Sequence, residues 1–453
     1  MTGSYRLALT GDVIMNTRVS ACRDPDVLAA VDLLRTADVT HAHLEIPLHD
    51  FDRDDDIFPA AEGALAWYRG PTAIAGELRW LGVDLVSTAS NHALDYSYGG
   101  LRSTCAALDA AGLAHAGTGP DLAAARSPAF ADTTVGRIAL VSATSSFPAF
   151  ARAGAARTDA VGRPGVNPLR YYNVIDPATA DRLISIVAAL GLGVVRDTSA
   201  GEFVIHPPGL HNTIWRFRVS AGQDPPTTRC DESDLAGNLE SIRYARSVSD
   251  LVIAHLHVQA WDGADGRMSS TPAFAHEFAR AAAEAGAAVV LIQGAHAPIR
   301  GIEVHAGVPI LYDPGPLFRL GRREPQPHDF YTRWGNPPFV SSFDAGLLDA
   351  FGARDTALGG PQDAKVTLSP REGYAHKPGF FLPVCDVDAN THRVTRVNLH
   401  PMRWSQASRA TSGFPIRVTG APAQAILDRA AELSAPYGTR LSIADDMGWV
   451  AVA

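Results

Sequence analysis

Short β-branched or apolar runs, each ending in a polar residue and followed by a longer stretch of helical spacing, alternate along this chain and constrain its fold more than any other feature. The first series is YRLALT (5–10), a helix near 25–36, DVTHAHLE (38–45), a helix near 70–81, DLVSTAS (84–90), a helix near 99–112 and RIALVSA (137–143). A second block at 250–313 repeats the pattern with DLVIAHLHV, the Ala-rich PAFAHEFARAAAEAGA, AVVLIQGAH and a hairpin-like GIEVHAGVPILYD. Strands alternating with helices mean an α/β layered fold. Residues 1–145 and 250–320 are therefore expected to be two halves of one core.

The intervening segment, 146–249, is rich in Gly, Pro, Arg and Thr and carries a helix near 178–190 and the aromatic, basic stretch IWRFR at 214–218. It reads as an insertion that builds substrate surface. A second irregular stretch, 321–375, holds Tyr331, Trp334 and Phe339 among many Pro and Gly residues. Loops of that length in a compact protein are usually functional, and this one reads as a lid. Residues 376–453 predict a hairpin, FFLPVCDVDANTHRVTRVNLHP, and a helix, QAILDRAAELSAPYG, packing back on the core.

Composition excludes several classes of function. A formal charge of −9, with 39 Lys and Arg spread along 453 residues, is not the footprint of a nucleic-acid binder. No apolar run reaches the ~18 residues of a membrane span, and residues 1–10 lack the basic start and apolar stretch of a signal peptide. A cytoplasmic chain with neither nucleic acid nor membrane as partner is expected; its oligomeric state is left open. Cys22, Cys105, Cys230 and Cys385 show no C-x-x-C spacing and predict neither a disulfide framework nor a thiolate zinc site.

In α/β sheets, ligands bind beyond the carboxyl ends of the strands, so the residues that follow each apolar run are the informative ones. Here they are Asp12 after the first run, Glu45 after the second, Asn91 and His92 after the third, His255 and His257 in the strand at 250–258, and His296 after 288–294. Taken singly, Asp12 reads as a turn residue, Asn91 as a helix cap and a strand histidine as core. Together they place metal-ligand or acid/base side chains at one edge. His255 and His257 are two apart and point to the same face. Carboxylate and amide oxygens beside imidazoles suit one divalent ion, with Ca, Mn, Mg and Zn not distinguishable.

The segments LALTGDVIM, HLEIPL, STASNHALDYSYGGLRSTCAALDAAGLAHAGTG, VIAHLHVQ, GAHAPIRGIEVHAGVPILYDPGPLF and LDRAAELSAPYGTRL resemble the successive motifs of the CapA, or poly-γ-glutamate synthesis, proteins. The resemblance implies the calcineurin-like metallophosphatase fold, a β-sandwich flanked by helices with the metal site at the strand ends. Its most specific part is Asn91-His92 with Asp95-Tyr96. The departures bear on function. Asp12-Val13-Ile14 stands where a metallophosphatase has D-x-H, Pro298 where its last His falls, His43 where CapA proteins have the Asn of N-L-E, and Gln259 for a Glu. These losses weaken two-metal hydrolysis, which needs both ions.

What remains can form pairs: Asp12 with His296 by the family's arrangement, and His92 with Asp95. A carboxylate holding an imidazole fixes its tautomer and raises its basicity, as acid/base chemistry near neutral pH requires. The chain is also similar to soluble CapA-like proteins encoded with lasso peptides, which invert the C-terminal residue of a ribosomal precursor peptide. That similarity implies an epimerase with Asp12/His296 and His92/Asp95 on opposite faces of a Cα, a metal shell drawn from Asp12, Glu45, Asn91, His255 and His257, and a precursor peptide as partner. Trp215, Arg216, Arg218 and Trp334 are candidate contacts for an aromatic side chain and a carboxylate. A phosphoesterase or peptide hydrolase, a polyglutamate synthesis protein, and Asp95 as a mere helix cap stay open as alternatives.

Overall fold

The computed structural model describes residues 3–51, 56–61, 67–197, 201–206, 215–260, 270–295, 299–319, 326, 327, 329, 379–408 and 410–452. The apolar runs form strands and the helical stretches between them form helices, in two sheets. The first sheet runs, in spatial order, Ser442–Ala444, Met447–Ala451, Val394–Trp404, Phe380–Asp388, Ser4–Ile14, Val39–Leu44, Leu85–Ser87, Ala114–Ala116. The second runs Ile302–His305, Val308–Tyr312, Val289–Gln293, Leu251–His257, Gly136–Thr144, Ala129–Thr133. Within each, the strands that carry candidate site residues pair in parallel.

Alternation along the strands decides what lies between the sheets. Leu7, Leu9, Val39 and Leu85 of the first sheet share one buried cluster with Leu140, Leu251, Ile253 and Leu291 of the second. The intervening residues of the second sheet, Ala139, Val141, Val252, Ala254 and Leu256, pack instead with Phe274, Phe278 and Ile242 of the helices Ala273–Ala285 and Glu232–Val248. The architecture is thus the expected sandwich of sheets flanked by helices, the calcineurin-like fold. The C-terminal hairpin, Phe380–Asp388 with Val394–Trp404, adds to the first sheet beside Ser4–Ile14, and the helix Ala421–Ser434 buries Ile426 and Leu427 in the same core.

Within 146–249, a separate five-stranded sheet, in the order Gly193–Asp197, Glu202–His206, Trp215–Val219, Tyr171–Ile175, Thr227–Cys230, packs with the helix Pro177–Ala189 through Ile175, Ala180, Val187 and Phe203. Asp176 and Pro177 start that helix as cap and first residue, the Asp176 carboxylate accepting from the Ala178 and Thr179 amides. The stretch read as a lid lies almost wholly outside the described residues. Among the described residues, no helix is long and apolar enough to cross a membrane.

One local device aims the first strand at the site. The register between Ser4–Ile14 and Val39–Leu44 shifts between Leu9 and Asp12, so that Asp12 stands opposite His43. Gly11 is required there. A Cβ on it would lie 1.9 Å from the Gly315 carbonyl oxygen, and the Leu317 amide donates to the Asp12 carbonyl at 2.9 Å.

Candidate metal and acid/base centre

At the carboxyl ends of the strands the residues between the sheets change from Leu and Ile to imidazoles and carboxylates. Ile253 is followed on the same face by His255 and His257, and Val39 by His41, His43 and then Glu45. All five polar side chains are fully buried, and Asp12 nearly so. The imidazoles meet across the sandwich: His43 stacks on His255 at 4.6 Å and on His257 at 5.0 Å between ring centroids, and His41 lies 5.6 Å from His255.

Within this array Asp12, His43 and His257 present ligand atoms that all lie within 4.8 Å of one another. The Asp12 Oδ1 is 3.9 Å from His43 Nε2 and 3.8 Å from His257 Nδ1, and accepts from Gln293 Nε2 at 3.1 Å. On its other side, His257 Nε2 is 2.8 Å from Asn91 Oδ1 and 3.9 Å from Glu45 Oε1. His43 Nε2 and His257 Nδ1 are buried and, among the described residues, without a hydrogen-bond partner. Buried polar atoms are rarely left so. Two orphaned imidazole nitrogens facing one carboxylate therefore fit a cation.

The electrostatics agree. Burial pushes His257 down to about 3 and His43 well below its ordinary value, the latter helped by repulsion from His255, His257 and His41. Both are thereby neutral, the form that ligates. Glu45 is held well above the usual carboxylate range by burial, then by Asp12, Asp95 and Asp313. A cation among these groups would reverse that penalty. The other nitrogen of His43 meets Ser87 Oγ at 2.9 Å, which orients the ring toward Asp12.

The expected metal shell is thus brought together for Asp12 and His257, with Asn91 and Glu45 on the far nitrogen of His257. His255 stands outside the three-residue group; its Nδ1 meets Ser142 Oγ at 3.0 Å. His43 was missed by sequence reasoning, as was Gln293. The signal for His43 was present: His41, His43 and Glu45 share one face of a strand at a spacing of two.

Next to Asn91, His92 Nδ1 and Asp95 Oδ2 are 2.7 Å apart and both residues are buried. Asp95 Oδ2 also accepts from the Tyr68 amide at 2.8 Å, and the Tyr68 ring lies 4.4 Å from that of His92. The helix that follows, Ser97–Ala110, has no side-chain cap. Asp95 therefore orients an imidazole rather than capping a helix. Burial raises its carboxyl, an effect the adjacent His92 opposes.

Trp215 is 57% exposed, Arg216 is paired with Asp231 at 2.7 Å, and Arg218 with Glu202 and, at 2.6 Å, with Glu232. His296 and Trp334 lie outside the described residues.

Comparison with known proteins adds the family. An uncharacterized protein of Sinorhizobium fredii (strain NBRC 101917 / NGR234), y4sH, is 30% identical over 452 residues, covering 98% of this chain and 93% of its own. A second protein of that strain, y4uA, matches to the same extent. A probable polyglutamine synthesis accessory protein of Mycobacterium tuberculosis (strain CDC 1551 / Oshkosh) is 35% identical over 138 residues, 30% of this chain and 32% of its own. The profile of the bacterial capsule synthesis protein PGA_cap matches residues 6–318, through both halves of the sandwich and every candidate metal ligand, and this chain belongs to that family.

Proposed function

We propose that this protein is a metal-dependent peptide epimerase, which exchanges the Cα proton of the C-terminal residue of a ribosomal precursor peptide. The observation that carries the reading is the buried His92–Asp95 pair at 2.7 Å, next in sequence to Asn91, whose Oδ1 meets His257 of the metal-ligand group found among the described residues. Asp12, His43 and His257 would hold the ion, with Glu45 and Asn91 adjoining. When bound, a divalent cation supplies Lewis acidity that stabilises negative charge developing on a peptide carbonyl.

The proton work falls to the chain's own residues. Asp95 holds Nδ1 of His92, so the imidazole keeps one tautomer and its other nitrogen exchanges a proton with substrate. Inversion needs a second acid/base group on the opposite face of the Cα. Asp12 with His296 is proposed for that role, and the Asp12 carboxylate would then serve both the ion and the imidazole.

A second reading has the family comparisons on its side. The Mycobacterium tuberculosis relative is named as a probable polyglutamine synthesis accessory protein, and the matching profile is that of a capsule synthesis protein. At the level of the family, a role in making a polyglutamate-type chain is the better supported reading. A phosphoesterase or peptide hydrolase using His92 as general acid belongs with it.

One experiment separates them. Metal-loaded protein is incubated with the precursor peptide in heavy water and the product examined by mass spectrometry and chiral analysis. Epimerisation places one deuterium at the terminal Cα and inverts it. Cleavage or phosphate release without deuterium uptake supports the hydrolase, and no change to the peptide sinks the epimerase.

A further inference from the structure

Every polar group of Asp313 is engaged with backbone around the centre. The residue is 1% exposed and sits at φ 54°, a left-handed conformation that Asp tolerates better than most side chains. Its amide donates to the Ile292 carbonyl at 2.6 Å, and its carbonyl accepts from the Arg300 amide at 2.8 Å. Its carboxylate accepts from the Ala295 amide at 3.0 Å through Oδ2 and from the Gly315 amide at 3.2 Å through Oδ1. Both flanks of the segment that contains His296 are thus tied to one residue. Side chains other than Gly persist in such a conformation where the surroundings over-determine it, and such places cluster at functional sites.

The backbone that Asp313 holds is the backbone against which Asp12 and His257 rest. Gln293, Gly294 and Ala295 lead in sequence to His296. Gln293 Nε2 donates to Asp12 Oδ1 at 3.1 Å, and Gly294 lies so near the His257 ring that a Cβ on it would be 2.5 Å from Nδ1. On the other side of Asp313, the Gly315 carbonyl lies against Gly11, and the Leu317 amide donates to the Asp12 carbonyl at 2.9 Å. One carboxylate therefore joins the strand end that meets Asp12 and His257 to the turn that meets Gly11 and Asp12. His92 and Asp95 are held elsewhere. The His92 amide donates to Ser90 Oγ at 3.1 Å, and Asp95 accepts from the Tyr68 and Ala60 amides, each at 2.8 Å.

We propose that Asp313 is a positioning residue for the proton transfers, fixing the place of the Asp12/His296 pair relative to the His92/Asp95 pair. This role rests on the epimerase reading above, which supplies the two faces of the Cα. Inversion uses both pairs in turn, and catalytic geometry is sensitive to displacements of about 1 Å. Loosening Asp313 moves one pair and leaves the other in place, so removal of a proton on the His92 side is uncoupled from delivery on the opposite side.

Asp313→Asn keeps the left-handed backbone and the size of the side chain, but it has one accepting oxygen for two amides. Metal-loaded wild-type and variant protein are incubated in heavy water with two synthetic precursor peptides that differ only in the configuration of the last residue. Deuterium uptake at the terminal Cα and inversion are read separately. In the variant, inversion should fall about tenfold to a hundredfold, the usual effect of removing a group that orients a site residue. The ratio of uptake to inversion should rise about tenfold or more from the peptide whose Cα proton faces His92, and stay at the wild-type value from the other. A folding defect lowers uptake and inversion together and leaves both ratios unchanged.

The buried Arg300 faces Asp313: burial lowers its guanidinium to about 10, and Asp313 opposes that fall. Removing the carboxylate charge therefore weakens the fold as well. Asp313→Glu is the second variant, because it keeps the charge and displaces the carboxylate by one methylene; the same ratio should rise. Amide hydrogen exchange on fragments spanning Ala295 and Gly315 should quicken in either variant, with Tyr171–Ile175 unchanged. An unaltered ratio in the folded variants overturns the role, as does unaltered exchange at Ala295 and Gly315, or a failure of both variants to fold. Absence of deuterium from both peptides with wild-type protein removes the epimerase reading itself, and the positioning role with it.

Discussion

Replacing His43 by Gln is the most direct test of the metal centre, because this residue was not among the ligands expected from sequence and its place as one rests on geometry alone. The side chain is fully buried, its Nδ1 meets Ser87 Oγ at 2.9 Å, and its Nε2 faces Asp12 Oδ1 at 3.9 Å with no hydrogen-bond partner among the described residues. Glutamine fills most of the same space and can keep the Ser87 contact, so metal-free stability should change by no more than about 1 kcal/mol. Metal-linked stability should change more. A metal at a hundred times its Kd stabilises the native state by about 2.7 kcal/mol. Altering groups that only support a ligand costs roughly 10–100-fold in affinity, so losing one of three ligands should cost about a hundredfold at least. At the same metal concentration the variant would then gain about 0.4 kcal/mol, a loss of about 2.3 kcal/mol. The assay is thermal unfolding of chelated protein with and without added zinc or manganese, backed by titration calorimetry. Equal metal-induced stabilisation of variant and wild type would refute the assignment of His43.

Four further outcomes follow. Asp95→Asn should leave the fold intact and lower turnover by on the order of 10²–10⁴, the usual worth of acid/base catalysis; steady-state kinetics with the precursor peptide checks it, and a wild-type rate would remove the pair from the mechanism. Gly11→Ala should destabilise by on the order of 3 kcal/mol because its Cβ would lie 1.9 Å from the Gly315 carbonyl oxygen. Gly76→Ala, with nothing within 4 Å in the helix Ile74–Trp80, should stabilise by about 0.5–1 kcal/mol, and chemical denaturation compares the two. His400 is pushed down to about 4, chiefly by burial and then by Arg417 and Arg6. Its native form therefore binds fewer protons than the unfolded form, so its contribution is complete above about 6.5 and is lost as pH falls toward about 4. His400→Gln should flatten the pH dependence of stability across that window, and an unchanged slope would contradict the burial argument.

Local pattern carried the fold a long way. Strand runs alternating with helical stretches specify an α/β sandwich because side-chain period is a local property of the backbone. The same logic placed Asp12, Glu45, Asn91 and His257 at strand ends, and the three-residue spacing of His92 and Asp95 brought that pair within reach of one another. The stretch 146–249 was read only as an insertion, and its five-stranded sheet with its own small core was not foreseen, since those strands are short and pair out of chain order.

Other features belong to the tertiary structure alone. His43 became a ligand candidate because a register shift after Leu9 sets Asp12 opposite it and because a strand of the other sheet delivers His257 to the same point. His255, one turn of the same alternation away, stacks behind His43 and spends its Nδ1 on Ser142. Arg216 and Arg218 looked like substrate contacts in sequence, and in space they meet Asp231, Glu202 and Glu232. Sequence lists the charged groups a chain possesses. Which of them are already neutralised depends on approaches of a few ångströms between residues far apart in the chain, and only the folded arrangement of the sheets sets those distances.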